Sequence, residues 1–197
     1  MKRRIAFFDF DGTITTKDSL LEFIKFYKGS VSFYLGFLLY SPLLLAYKLR
    51  IIPNYTAKQK VLQFFFKGES IANFQKQCNA FSDKILPRII RPKALREIEL
   101  MKKADATVVI VSASAENWIR KWAVENGLEL IGTRLATADG KITGSIEGIN
   151  CYGDEKACRI KERFNLSEYN EIYCYGDSAG DKAMLELATF SFYKPFR

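Results

Sequence analysis

Ile5-Ala6-Phe7-Phe8-Asp9-Phe10-Asp11-Gly12-Thr13-Ile14-Thr15 is an apolar run that stops abruptly at Asp-x-Asp-Gly-Thr. The run Ile5 to Phe8 is short, β-branched and aromatic, which predicts a strand buried on both faces, as in a parallel sheet. Two carboxylates follow, two positions apart, where such a strand ends. Ligands of open α/β sheets bind beyond the carboxyl ends of the strands. Gly12 lets the chain turn away sharply, because it tolerates backbone angles that other residues avoid. Two acids on a short loop thus stand at the natural ligand edge. An ordinary acidic turn would read the same locally, so the rest of the chain decides.

The 197 residues allow one domain, or a core with one insertion, and 48% hydrophobic residues supply a real core. Cys78, Cys151, Cys158 and Cys174 lack paired spacing. They read as small buried hydrophobes of a reducing compartment rather than a disulfide scaffold or zinc ribbon. The chain has no histidine, which excludes His metal sites, Ser-His-Asp triads and His general bases. Met1-Lys2-Arg3-Arg4 looks like the start of a signal peptide, but Asp9 and Asp11 interrupt the apolar run at once. The expectation is a cytoplasmic protein. The net charge of +8 is uneven. Ile14 to Asp105 holds 16 Lys/Arg against 7 Asp/Glu, and the remainder 14 against 15. Such asymmetry fits an anionic substrate, an anionic membrane surface or merely solvated helix faces. Nucleic acid is not expected, because the basic residues spread over several helices without a recognition motif.

Asp18 or Ser19 can cap a helix that runs to Lys28 and stops at Gly29, with Leu20, Phe23, Ile24 and Tyr27 as its buried stripe. Gly29 to Tyr47 carries no charge in 19 residues. By length it could span a membrane, but a single span would put Asp9 on the opposite side from every later motif. The stretch must therefore fold back near Pro42, lie in a membrane interface, or pack into a helical bundle. Further helices are expected over 56–66, 70–85 and 92–103. Thr107 to Val111 reads as a second buried strand, ending in Ser112-Ala113-Ser114, with a helix to Asn126 after it. Leu130 and Ile131 suggest a third strand. Asp139-Gly140 marks a small antiparallel hairpin. A helix containing Lys156 precedes the strand Ile172 to Tyr175, which ends in Gly176-Asp177-Ser178-Ala179-Gly180-Asp181. A helix to Leu187 and a short strand, Thr189 to Tyr193, follow. Strands alternating with helices imply a parallel sheet. The expected fold is α/β: a Rossmann-like parallel sheet core over 1–15 and 102–197, an all-helical cap inserted over 16–101, and the small β-hairpin.

Asp9 and Asp11, Ser112, and Asp177 and Asp181 thus fall at strand ends that share one sheet edge, with Lys156 at a nearby helix start. Four carboxylates without histidine form a hard oxygen site suited to Mg²⁺, and a carboxylate can be a covalent nucleophile. This ordered set resembles the haloacid dehalogenase-like superfamily in its phosphatase branch. The four motifs are Asp9-Phe10-Asp11-Gly12-Thr13, Ser112, Lys156 in Gly153-Asp154-Glu155-Lys156, and Gly176 to Asp181. The helical insert and the run Asn150 to Lys156 resemble the phosphoserine-phosphatase-like subgroup.

The resemblance implies that Asp9 attacks phosphorus and forms an aspartyl-phosphate. It implies that Asp11 protonates the leaving alcohol and then activates water. Mg²⁺ would be held by Asp9, the Asp11 backbone carbonyl and Asp177, with Asp181 orienting metal-bound water. Ser112, Lys156 and the backbone at Gly12 would hold the phosphoryl oxygens. Pump ATPases of this fold have threonine where Asp11 stands, so an acid there favours hydrolysis. The expected partner is a phosphomonoester. An uncharged, basic-flanked cap insert is similar to that of the phosphatidylglycerophosphate phosphatases, which implies a membrane lipid phosphate. It also implies contact of residues 29–47 with the inner face of the cytoplasmic membrane. A soluble small-metabolite phosphatase, phosphoserine-like or otherwise, is the alternative, although Gly12 replaces the serine usual in phosphoserine phosphatases. A non-catalytic Mg²⁺-binding module is the remote third reading, since nothing in the motifs looks broken.

Overall fold

In the computed structural model, which describes residues 3–42 and 54–197, β1 (Arg4–Phe8) lies inside a six-stranded sheet. The other strands are β2 (Ala106–Ala115), β3 (Glu129–Ala138), β4 (Lys141–Glu147), β5 (Glu171–Gly176) and β6 (Phe190–Tyr193). The spatial order is β4-β3-β2-β1-β5-β6, and every adjacent pair is parallel except β3 with β4. The central strands are apolar on both faces because helices cover both. Ala6, Phe8, Val108, Ile110 and Tyr175 face one core cluster, and Ile5, Phe7, Val109, Val111 and Cys174 face the other. The fold is the α/β class expected.

Two strands differ from their sequence reading. β2 continues past Val111 to Ala115, with a register shift against β3 between those residues. β3 is one long strand, parallel to β2 at its start and antiparallel to β4 at its end. The hairpin is therefore an extension of the sheet. Its turn sits where expected, with positive φ at Asp139 (49°) and Gly140 (71°), the geometry that a two-residue turn needs.

The helices that precede β2 are α1 (Ser19–Leu39), α2 (Asn54–Phe66), α3 (Ile71–Lys84), α4 (Leu86–Ile89) and α5 (Pro92–Lys103). Asp18 caps α1, accepting from the Leu21 N–H at 3.0 Å. Gly29 breaks α1 with φ 80° and ψ 162°. Beyond the break, α1 presents Phe33 and Phe37 to the core cluster. Gly36 lies against Phe64 and Phe65 of α2 with no room for a Cβ. Val31, Tyr34, Leu35, Leu38 and Leu39 stay exposed, at 61 to 74%. The ring of Tyr40 lies 4.8 Å from that of Phe64, so the chain has come back beside itself by residue 64. Residues 43–47 of the uncharged stretch lie outside the described residues. Among the described residues, no helix is long and apolar enough to cross a membrane.

An aromatic cluster ties these helices to the sheet. Phe23 lies 5.1 to 5.5 Å from the rings of Phe66, Phe74, Phe81 and Trp118. The entry and exit chains of the insert are bonded to each other. Thr15 bridges Ile90, the Thr16 N–H donates to Ile89 O at 2.7 Å, and the Arg91 N–H donates to Ile14 O at 2.8 Å. Helix α5 lies against the sheet, with Glu97 accepting from the Tyr175 hydroxyl at 2.8 Å. The hairpin in turn is bonded to α2 and the turn after it. Gly68 N–H donates to Ile142 O at 2.9 Å, Ile142 N–H to Glu69 O at 2.8 Å, and Ile146 N–H to the Gln59 side chain at 3.3 Å. The remaining helices are α6 (Glu116–Glu125), α7 (Asp154–Arg163) and the single turn α8 (Lys182–Leu185). Cys78, Cys151 and Cys174 are free and buried; Cys158 is free but exposed on α7.

Candidate active site

After β1 the chain forms one wide turn, closed by the Thr15 N–H donating to Phe10 O at 2.9 Å. Gly12 takes φ 87°, and a Cβ there would collide with the Asp177 carboxylate. Glycine is thus required twice, for its backbone angle and for the close approach of the loop after β5. The Gly12 N–H itself donates to Thr15 Oγ1 at 3.3 Å.

Asp9 is buried at the end of β1. It accepts from Lys156 Nζ at 2.5 Å and from the Thr13 hydroxyl at 3.0 Å. Lys156, fully buried on the first turn of α7, also donates to Asp181 at 2.6 Å and to Val111 O at 2.8 Å. All three ammonium protons are therefore in use. Burial pushes Asp9 up to about 7 against the pull of the Lys156 charge. Burial works against the charged form of Lys156 too, yet its two carboxylate partners hold the net shift upward. Burial alone would also raise Asp181, but the Lys156 charge and hydrogen bonds bring it below its usual value. Its second oxygen accepts from the Asp177 N–H (3.1 Å), the Ser178 N–H (2.9 Å) and the Ser178 hydroxyl (2.8 Å). Asp181 thus shapes the loop that carries Asp177, and Asp177 is paired at its outer side with Arg197.

Asp11 sits in a separate network. It accepts from the Ser19 N–H at 2.7 Å, the Ser19 hydroxyl at 3.2 Å and the Ser114 hydroxyl at 2.5 Å. Trp118 Nε1 donates to the same Ser19 hydroxyl at 3.0 Å. Burial, then the nearby Asp18, pushes Asp11 up to about 6, while the serine donors pull it down. Ser112 is buried, and its hydroxyl accepts from the Ser114 N–H at 3.0 Å.

Asp9, Asp11, Ser112, Lys156 and Asp181 line one cavity of about 330 Å³. The insert supplies its apolar wall: Leu20, Leu21 and Phe37 from α1, and Ala57 and Val61 from α2. Carboxylate oxygens of Asp9, Asp177 and Asp181 lie within 4.8 Å of one another. An all-oxygen set of this charge fits a hard divalent cation.

The sequence reading gave no site role to Ser19, Ser114, Thr13 or Lys58. Ser114 had a signal, since it lies two residues beyond Ser112 on an extended strand and so on the same face. Lys58 had none, because it reaches the cavity from a helix far away in sequence.

The profile of the haloacid dehalogenase-like hydrolases matches residues 6–186, and the chain belongs to that family. Protein CicA of Caulobacter vibrioides is 35% identical over 194 residues, covering 96% of this chain and 85% of its own. The "Probable phosphatase Rv3661" of Mycobacterium tuberculosis is 30% identical over 195 residues, covering 93% of this chain and 66% of its own. Among solved structures, a protein of unknown function from Bordetella pertussis Tohama I superposes with a TM-score of 0.85 at 22% identity, covering 97% of this chain and 89% of that one. A phospho-aspartyl intermediate analogue of phosphoserine phosphatase gives 0.69 at 19% identity, covering 97% and 86%.

Proposed function

We propose that the protein hydrolyses a phosphomonoester through a phosphorylated Asp9, and that the ester is a lipid phosphate at a membrane surface. The chemistry rests on one observation: buried Asp9 and half-buried Asp11 line one cavity but sit in different networks. Asp9 Oδ1 belongs to the lysine-bridged acid cluster and attacks phosphorus as the carboxylate. Asp11 is held by neutral hydroxyl and N–H donors and shifted upward, so it can carry a proton to the leaving oxygen and take one back from water. Ser112 and Lys156 hold the phosphoryl oxygens, the ammonium exchanging its bond to Asp9 for one to the phosphate, and the turn at Gly12 brings Asp177 close. Asp9, the Asp11 carbonyl and Asp177 would hold Mg²⁺, with Asp181 behind them; the cation offsets repulsion between the carboxylate and the phosphate dianion.

The lipid reading is supported by residues 29–39. Phe37 lines the catalytic cavity, while Val31, Tyr34, Leu35, Leu38 and Leu39 stand exposed on the same half-helix. A cavity of about 330 Å³ accepts a headgroup and leaves acyl chains outside, beside that exposed face. Large contiguous apolar patches on a protein surface mark interaction sites. A soluble small-metabolite ester is the second reading, favoured by the likeness of the fold to phosphoserine phosphatases.

The test is phosphate release with Mg²⁺ from phosphatidylglycerophosphate and lysophosphatidate in mixed micelles, against phosphoserine and sugar phosphates, with Asp9→Asn as control. A large lipid preference in kcat/KM is expected. Preference for a soluble ester would overturn the lipid substrate, and full turnover by Asp9→Asn would overturn the mechanism.

A further inference from the structure

A second cavity, of about 550 Å³, adjoins the catalytic one. Tyr55 and Gln59 of α2 form one wall; Ile146 of β4 with Ile149, Asn150 and Tyr152 of the loop after it form the other. Among the described residues, none of the side chains that line it is charged. Asn150 and Tyr152 also line the catalytic cavity, so the two cavities share an edge. Tyr55 and Gln59 lie four apart on α2 and therefore share a face of that helix. Phe64 and Phe65, which meet Gly36 of α1, are turned away from that face by the helical repeat. The groove is thus distinct from the exposed half-helix at 31–39.

Both walls are fixed by bonds of their own. Arg159 donates to Ile149 O at 2.6 Å, the Cys151 N–H to the Thr133 hydroxyl at 3.1 Å, and the Gly153 N–H to Gly180 O at 3.0 Å. The Tyr152 ring lies against Gly180, which has no room for a Cβ. Helix α2 is tied to the same loop, because Lys58 donates to Asn150 Oδ1 at 3.0 Å. Gln59 accepts from the Ile146 N–H at 3.3 Å. The groove therefore stays open, with Tyr55 and Ile149 52% and 64% exposed. Apolar side chains held apart in this way keep their surface in water, which is unfavourable until a ligand covers it. A preformed apolar cleft with a few polar groups is the usual form of a small-molecule subsite.

We propose that this groove takes a hydrocarbon chain carried by the leaving alcohol of the substrate. The phosphoryl group occupies the end of the catalytic cavity at Asp9, Ser112 and Lys156, and the chain passes Asn150 and Tyr152 to lie between Tyr55 and Ile149. The inference rests on the phosphatase chemistry above and not on membrane docking. It deepens the lipid reading by giving the chain nearest the ester a seat in the protein itself.

The test is a series of n-alkyl phosphates, from ethyl to octyl, with the full chain and Mg²⁺ below the concentrations at which the esters form micelles. No membrane is then present. Each CH₂ taken fully out of water is worth about fourfold. A chain half covered in an open groove should therefore raise kcat/KM about 50-fold from ethyl to octyl, chiefly through KM. Ile149→Asp and Tyr55→Asp should each shrink that ratio at least about fivefold, while Ile149→Leu and Tyr55→Phe preserve it. Both positions are exposed, so the variants should fold, which circular dichroism checks. The ratio should also survive the double substitution Leu35→Asp, Leu38→Asp. A flat series, a ratio retained in both aspartate variants, or a ratio lost only in the Leu35 and Leu38 variant would overturn the inference; the last would move the chain to α1. Turnover of p-nitrophenyl phosphate by the wild type, lost in Asp9→Asn, reports the phosphatase chemistry separately. Should that chemistry fail, calorimetric binding of octylphosphonate against ethylphosphonate reads the same preference without turnover, and equal affinities would overturn it.

Discussion

The bond from Ser114 to Asp11 positions the carboxylate proposed above as the general acid. Two hydroxyls and one backbone N–H meet its carboxylate, and Trp118 holds Ser19 in turn. Asp11→Asn should cut kcat by about 10² to 10⁴, as measured by steady-state phosphate release, with the fold intact by circular dichroism. Ser114→Ala should lower kcat less and shift upward the limb of the pH–rate profile that reports Asp11, because the removed donor stabilises the charged form of Asp11. An unmoved profile would refute that assignment. Lys156 poses a different case. Replacing it with Ala leaves two buried carboxylates facing each other, and breaking such a buried pair costs about 3–5 kcal/mol. Urea unfolding in chelator should record that loss.

The half-helix after Gly29 has two faces with different work. Its inner face packs Gly36 against Phe64 and Phe65 without room for a Cβ. Gly36→Leu should therefore overpack the contact and cost about 1–3 kcal/mol, read as a fall in Tm. Its outer face carries Leu35 and Leu38 in solvent. If that face docks on lipid, the double substitution Leu35→Asp, Leu38→Asp should weaken binding to anionic vesicles about a hundredfold. Flotation measures this directly, and unchanged flotation would return the face to solvent. The entry and exit chains of the insert are bonded near Thr15 and Ile90, while α5 is fixed to the sheet through Glu97 and Tyr175. We propose that any movement of the cap over the cavity hinges at residues 15–16 and 89–91, with α5 staying on the core.

For the whole molecule, the acids of the cavity set how stability depends on pH. Asp9 and Asp11 are raised to about 7 and about 6, so the folded chain keeps protons that the unfolded chain releases. Stability then falls as pH rises through that interval. Asp181 is lowered, and its contribution is lost only as pH falls through the acid range. Lys156 is raised, and its contribution is lost only far into the alkaline range. In chelator, Tm should drop between about pH 5 and about pH 7, and Mg²⁺ should shrink that drop by favouring the ionised carboxylates. A Tm that rises over the same interval would contradict this account.

The sequence by itself determined the sheet and the order of its chemistry. Short apolar runs buried on both faces, each ending in a polar group, carry their own reading, because strand periodicity and turn chemistry are local. The positions of Asp9, Asp11, Ser112, Lys156, Asp177 and Asp181 followed from that. The tertiary structure decided what depends on residues distant in sequence. It carried β3 on into the hairpin and bonded the hairpin to the insert. It set Phe37 inside the cavity while its neighbours stayed exposed, brought Lys58 to the same cavity and set Ser114 against Asp11. No local pattern encodes such meetings, because they depend on how distant helices and strands pack at the sheet edge.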